Sequence, residues 1–410
     1  MLTLQAARKK TQGGSIGLAL AGGGPLGAFF ELGALHALSE AVDGLDLTKL
    51  DVYVGVSSGA MIAAGLANGF DTTTMGAVFI TNESSLYPFA PSLFVRPAVV
   101  EYVKRASRLP QLLGRVLQDY ARDPVRAVWS GAMSSLANAL PAALFDNVPV
   151  GEFLEQMFRS PGHTDDFRQL HKRLFVVATN LNTGKSVRFG EPGFDHVPIS
   201  RAAMASSALP GLYPAVEIDG EFYVDGALIR TMNASLAFDH DCDLVICINP
   251  LVAFDSSLVP QAERINIARG GLPTILSQTF RALIESRMQV GMAGYRARFP
   301  QTDQVLFEPD RDDGRIFFAN VFRYNDRQRL VEHAYQSMRR DLRRQARQLA
   351  PMLARHGLVL RHDVLADSKR RFATAVNKRA RDTRQVVRHL DATLNRLERL
   401  VSARARPVRR

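Results

Sequence analysis

Gly55-Val56-Ser57-Ser58-Gly59 places a serine between glycines where the apolar run Val52–Val56 gives way to the small-residue stretch AMIAAGLANG. G-x-S-x-G at a strand-to-helix turn allows the sharp bend that lifts a serine Oγ above a sheet, at a helix N-terminus. A serine that only caps its helix is the plainer reading. An activated serine needs a base, and Asp225 is one candidate. It lies in Glu221-Phe222-Tyr223-Val224-Asp225-Gly226-Ala227, where a strand delivers a carboxylate to a glycine turn. Held away from bulk water, that carboxylate can take a proton from a nearby hydroxyl; alone, it reads as a turn aspartate capping its own backbone. The other candidate is a histidine, in the order Ser, Asp, His of α/β-hydrolases. His240, His333, His356, His362 and His389 follow Asp225, but none stands in a glycine-flanked loop directly after an apolar strand. His240, in FDHDCD, comes nearest.

Gly22-Gly23-Gly24-Pro25-Leu26-Gly27 follows a second apolar run, Ile16–Leu20, and precedes helix-like apolar spacing over 29–38. It fits G-x-G-x-x-G, so a dinucleotide site has to be weighed. Asp43 and Asp46 stand near the distance of a ribose-binding acid, yet they precede the second strand at Val52 instead of following it. More generally, small residues let a backbone approach an anion while a helix N-terminus points free N–H groups at it. A tetrahedral oxyanion would be held as well as a pyrophosphate. The loop alone leaves that choice open.

In combination, GGGPLG, GVSSG and DGA, in this order and with ASSALPGLYPAV ahead of the aspartate, resemble the patatin-like phospholipase family over about residues 14 to 250. The resemblance implies a catalytic Ser–Asp dyad without histidine on a three-layer α/β/α fold with a mostly parallel central sheet. Carried onto this chain, Ser57 is the nucleophile and Asp225 activates it and later the attacking water. The N–H groups of Gly23 and Gly24 form the oxyanion hole, Gly22 and Gly27 shape the loop, and Gly55 and Gly59 flank the elbow. Gly226 and Ala227 complete the aspartate turn. No metal or organic cofactor is implied. Many members carry a basic residue where Leu26 stands, so here the hole rests on backbone donors and helix dipoles.

These elements need a sheet to position them. Besides 16–20 and 52–56, strands are expected at 174–179, 222–224, 244–249 and 304–308, giving an α/β core of roughly six strands within 14–310. Strand, tight turn and helix, repeated twice, argue for helices packed on the sheet faces. Between the second strand and Leu174, SLYPFAPSLFVRPAVV and VRAVWSGAMSSLANALPAALF read either as extra helices on the core or as a mobile apolar cover that meets lipid. A helical extension is expected over 325–370. Over 371–410 a basic tail follows, in which Ala373, Val376, Ala380, Thr383, Val387, Leu390, Leu394, Leu397 and Val401 alternate in steps of three and four. That seam suggests a coiled coil joining chains or a basic amphipathic surface helix.

Composition narrows the class. A hydrophobic fraction of 46% and a charged fraction of 22% suit a globular protein with a sizeable core. Of the net +11, residues 371–410 carry +9, twelve basic against three acidic. This charge is a solvated tail or a contact for anionic headgroups; without aromatic interleaving, nucleic acid is not expected. Cys242 and Cys247, five apart in DCDLVIC, are expected on opposite faces of a strand and unbridged, which fits a reducing compartment. The N-terminus has no apolar run after its basic pair, and no stretch reaches the length needed to span a bilayer. The sequence therefore points to a cytoplasmic lipid acyl hydrolase acting on phospholipid or lysophospholipid, peripheral at most on the inner face of a membrane. A nicotinamide-dependent oxidoreductase and a lipid-binding scaffold are the rival readings.

Overall fold

Short apolar runs that are buried on both sides suit parallel strands covered by helices, and five such runs form the centre of this molecule. The computed structural model describes residues 1–7, 14–84, 86–99, 102, 107, 143–261, 264, 266–319, 326–374 and 376. In chain order the strands are β1 (Leu2–Gln5), β2 (Ile16–Leu20), β3 (Val42–Asp43), β4 (Val52–Val56), β5 (Arg173–Asn180), β6 (Ser186–Phe189), β7 (Val216–Ile218), β8 (Glu221–Asp225), β9 (Leu244–Ile248), β10 (Asp303–Phe307) and β11 (Val359–Leu360). The helices are α1 (Gly24–Ala41), α2 (Ser58–Ala67), α3 (Thr72–Phe79), α4 (Val148–Phe158), α5 (Ile199–Ser206), α6 (Ser235–Asp239), α7 (Gly271–Arg298), α8 (Gly314–Phe317), α9 (Arg327–Arg344), α10 (Ala346–Ala354) and α11 (His362–Ala366).

The main sheet has the order β1-β10-β9-β2-β4-β5-β8-β7, with β6 also on β5. From β10 to β5 every pairing is parallel, and Leu18 sits between Tyr53 and Ile246. Beyond this centre the sense reverses. β1 is antiparallel to β10, β6 and β8 are antiparallel to β5, and β7 to β8. The aspartate strand β8 thus enters the sheet as a hairpin arm, and its end at Asp225 pairs with Ala178. β1 lies ahead of residue 14, so the sheet begins earlier in the chain than the apolar runs suggest.

Period-2 alternation along each strand sorts the core into two layers. Leu18, Leu20, Tyr53, Val176, Ile246 and Ile248 face one layer with α1 and α9. Ala19, Val52, Val54, Val56, Val245 and Cys247 face the other, where Phe238 of α6 and Met288 and Met292 of α7 cover them. The result is a three-layer α/β/α fold. Cys242 precedes β9 instead of lying on it, and both thiols are free and buried in this second layer. Helices after residue 325 share the first layer: Val331, Ala334, Tyr335, Met338 and Leu342 of α9 are buried in the same cluster as α1. Phe372 and Val376 pack over Gly76 of α3. Beyond Val376, the heptad seam lies outside the described residues, as does most of the apolar stretch between residues 100 and 142. No described helix is long and apolar enough to cross a membrane.

Gly33 decides how closely α1 and α9 approach. A Cβ built there would stand 2.5 Å from the Val331 carbonyl oxygen and 3.0 Å from the Ala334 Cβ. In an isolated helix, Gly to Ala gains about 1 kcal/mol. Here the added methyl overpacks a helix crossing, a change that costs about 1–3 kcal/mol. Gly33→Ala is therefore expected to lower, not raise, the unfolding free energy measured by urea titration.

Candidate active site

The carboxyl ends of β2 and β4 lie side by side, and each leads into a helix, β2 through Ala21-Gly22-Gly23 and β4 through Ser57 alone. After β4 the chain must reverse within one residue, and Ser57 does so at φ 53 and ψ −122 as the N-cap of α2. A non-glycine residue in this region is strained by about 1–3 kcal/mol and persists only where its surroundings hold it. The holding is visible. The Ser57 N–H donates to Ser206 Oγ at 2.8 Å, and Ser206 Oγ donates to the Val177 carbonyl at 2.6 Å. Ser206, fully buried at the end of α5, thus ties the elbow to β5.

Crowding fixes the glycines. A Cβ on Gly59 would stand 2.6 Å from the Leu20 carbonyl oxygen and 2.7 Å from that of Ala21. One on Gly22 would meet the Cβ atoms of Ser57 and Ala227, each at 3.0 Å. At Gly55 and Gly226 it would fall inside the backbone of Ala60 and Val177. Glycine loop, serine elbow and aspartate turn are therefore in mutual contact. Gly24 is different: it has room, but its φ of +59 is one that L side chains rarely adopt.

Ser57 Oγ donates to Asp225 Oδ2 at 2.6 Å across 168 residues of chain. The other oxygen, Oδ1, accepts the Ala227 N–H at 2.8 Å. Asp225 is held further by its own N–H donating to Ala208 O, and by Thr179 Oγ1 donating to its carbonyl. Asp225 is 3% exposed. Burial pushes its pKa up to about 6, and the hydrogen bonds from Ser57 and Ala227 offset part of that rise. At neutral pH it is a carboxylate in contact with a serine hydroxyl, and it can act as a base of useful strength.

The glycine loop supplies donors. Gly22 N–H is taken by Thr231 O at 3.1 Å, and Gly27 N–H by Gly23 O at 2.9 Å. Gly23 caps α1 and Gly24 begins it, so their amides belong to the first turn, which has no intrahelical acceptors. Leu26 is buried in the α1 core layer.

A narrow cavity of about 90 Å³ opens onto Ser57, Asp225 and Gly24. Met61, Phe94, Val150, Met204, Leu209 and Leu212 make its wall apolar. Phe94 comes from SLYPFAPSLFVRPAVV, so the first of the two apolar stretches reaches the site. Among the described residues, no histidine lines this cavity. His240 Nδ1 instead pairs with Leu236 O at 2.7 Å, and its ring lies against Phe175 in the opposite layer. Among the described residues, no cluster of three His, Cys, Asp or Glu side chains could hold a metal ion. Ser206 carries no separate sequence signal, because its partner is a backbone amide 149 residues away.

The Patatin-like phospholipase family model matches residues 18–238. Uncharacterized protein R571 of Acanthamoeba polyphaga mimivirus is 23% identical over 233 residues, which cover 56% of this chain and 63% of that relative's length. Among solved structures, VipD from Legionella pneumophila is 15% identical, with 99% of this chain and 91% of that one covered and a TM-score of 0.35. ExoU of the Pseudomonas aeruginosa type III secretion system, solved with SpcU, is 15% identical over 72% of this chain and 54% of that one, at a TM-score of 0.27. With more than half of its length matched by the family model, the chain belongs to the patatin-like phospholipase family, a family of lipid hydrolases.

Proposed function

We propose that this chain is a lipid acyl hydrolase of the phospholipase or lysophospholipase type, in which Ser57 and Asp225 form the catalytic dyad. The observation that carries this reading is the 2.6 Å hydrogen bond from Ser57 Oγ to a buried carboxylate. Asp225 takes the hydroxyl proton as Oγ attacks the ester carbonyl carbon. The oxyanion that forms is met by the amides of Gly23 and Gly24 at the start of α1. Collapse breaks the ester bond, the proton passes from Asp225 to the departing alkoxide, and an acyl-serine remains. Water then attacks this ester, Asp225 again takes the proton, and collapse returns it to Ser57 Oγ as the fatty acid leaves. The apolar wall of the cavity suits an acyl chain. The +9 charge of residues 371–410 supports peripheral contact with an anionic membrane from the cytoplasmic side, and the heptad spacing over 373–401 supports self-association. On this reading residues 14–310 form the hydrolase unit, with 325–370 as its helical extension.

The direct test uses wild-type, Ser57→Ala and Asp225→Asn proteins on vesicles of mixed anionic phospholipids, with released fatty acid and lysolipid quantified. Each substitution is expected to lower hydrolysis roughly 10³-fold or more. Full activity in Ser57→Ala would end the proposal, and the wild-type products identify the ester bond that is cut.

Because the base must be ionised, kcat/KM on a soluble ester is expected to rise with pH and to level off above about 6. Stability should move the other way. The folded pKa lies above the ordinary 3.8, so the native state keeps its proton to higher pH than the unfolded chain does. Stability contributed by the neutral form is complete below about pH 4 and is lost as pH rises through about 6, on the order of 3 kcal/mol in all. The stability of Asp225→Asn relative to wild type is therefore expected to improve by that amount between pH 4 and pH 7, as read by urea titrations at the two pH values.

A further inference from the structure

A groove of about 930 Å³ runs along α9 and shares no residue with the Ser57 cavity. Arg329, Arg340 and Arg343 line it from α9, Arg315 from α8, and Arg371 from the chain beyond α11. Arg329, His333, Gln336, Arg340 and Arg343 recur at steps of three and four, which places them on one face of the helix. The opposite face, with Val331, Tyr335 and Met338, is buried against α1.

Like charges at such spacing repel each other, and of the groove arginines named above only Arg371 has a carboxylate within salt-bridge distance among the described residues, Glu332 at 3.9 Å. Among the described residues, no carboxylate lies within salt-bridge distance of Arg315, Arg329, Arg340 or Arg343, and all four are exposed. Glu332 accepts the Phe372 N–H and Gln336 Nε2, both at 2.8 Å. Asp367 accepts the Lys369 N–H at 2.9 Å, and Asp313 is paired with His333 at 2.6 Å. Asp326 is the remaining acid of the lining. Residues 371–410 carry +9 and bring no net countercharge.

The groove is also built. Arg339, 5% exposed, donates from Nη2 to Val364 O at 2.7 Å and to Asp367 O at 2.6 Å, and lies over the Tyr335 ring. It clamps α11 to α9 and sets the separation of the two walls, while its buried Nε has no partner. Guanidinium forks on a preformed wall match phosphate oxygens, which accept two parallel N–H donors from each. We infer that this groove binds a ligand carrying clustered phosphate groups, at a site separate from the ester-cleaving one.

Binding of inositol hexakisphosphate, and of phosphatidylcholine vesicles with and without phosphatidic acid, would be measured on the full chain. The comparison is with Arg329→Ala/Arg340→Ala/Arg343→Ala, and with Arg404→Ala/Arg406→Ala/Arg409→Ala as a control of equal charge. The groove variant is expected to bind inositol hexakisphosphate at least about tenfold more weakly than wild type, while the tail control binds as wild type does. A parallel loss on phosphatidic acid vesicles identifies the ligand as a lipid headgroup. Loss confined to the soluble probe identifies a free polyphosphate. Absence of binding by wild type, or equal binding by the groove variant and wild type, overturns the inference. Hydrolysis of a soluble ester should be the same in the groove variant and wild type, so failure here is distinct from failure of the Ser57 chemistry.

Discussion

Three turns of backbone have to meet within van der Waals distance before Ser57 Oγ can reach Asp225. The loop at Gly22 touches both the elbow and the aspartate turn, with room for no more than a hydrogen between them. Gly59 lets the first turn of α2 lie against the end of β2, and Gly226 lets the aspartate turn lie on β5. None of these contacts is between neighbours in sequence. The parallel centre of the sheet aligns Leu20 with Gly55 and Val56 with Val177, so β2 and β4 finish together while β5 runs on to Asn180. β8 approaches from the other direction and delivers Asp225 to that same edge. The convergence of the two strand directions is what makes the 2.6 Å hydrogen bond possible.

Holding the bond has an energetic cost on both sides. Ser57 sits at a backbone conformation that is strained, and its N–H would be buried without an acceptor but for Ser206. Asp225 is desolvated, with only two donors to its oxygens where a carboxylate in water has many more. Both costs fall at the site and are offset by the two apolar layers on either face of the sheet. Such an arrangement holds Ser57 and Asp225 rigidly in contact. A flexible loop carrying the same aspartate would relax toward solvent and lose the raised basicity that a base near neutral pH requires.

Much of this was legible in the residues, and what was hidden has identifiable causes. β2 and β4 coincide with the apolar runs 16–20 and 52–56, because strands buried on both faces show up as continuous hydrophobicity. The glycine loop, Ser57 and Asp225 stood out because turns need glycine where backbones cross. Strand direction is not legible in this way, since period-2 alternation is the same for parallel and antiparallel partners, and nothing in its residues sets β8 apart from the parallel strands. β1 is a four-residue strand, LTLQ, too short to stand out from its surroundings. Ser206 was invisible as an anchor, for a single hydroxyl on a buried helix gives no periodic signal. Gly33 looks like a weak point in α1 until α9, nearly three hundred residues later, is packed against it.

Two buried carboxyl groups lie close to the elbow, and their different surroundings give them different states. Glu31 is fully buried on α1, and no hydrogen bond of good geometry reaches either of its oxygens. Burial raises its pKa well above the usual carboxylate range, and nearby Ser58 acts in the opposite direction. Asp225 is almost as buried but accepts from Ser57 and Ala227, which brings its pKa only to about 6. Burial therefore disfavours the charged form of both groups, while the donors to its oxygens favour that form at Asp225. The number of donors, more than depth, separates them. A second negative charge behind the elbow would oppose the oxyanion expected at the start of α1. With no hydrogen bond of good geometry to its oxygens, Glu31 is pushed toward its neutral form, and the carboxylate in contact with Ser57 is that of Asp225.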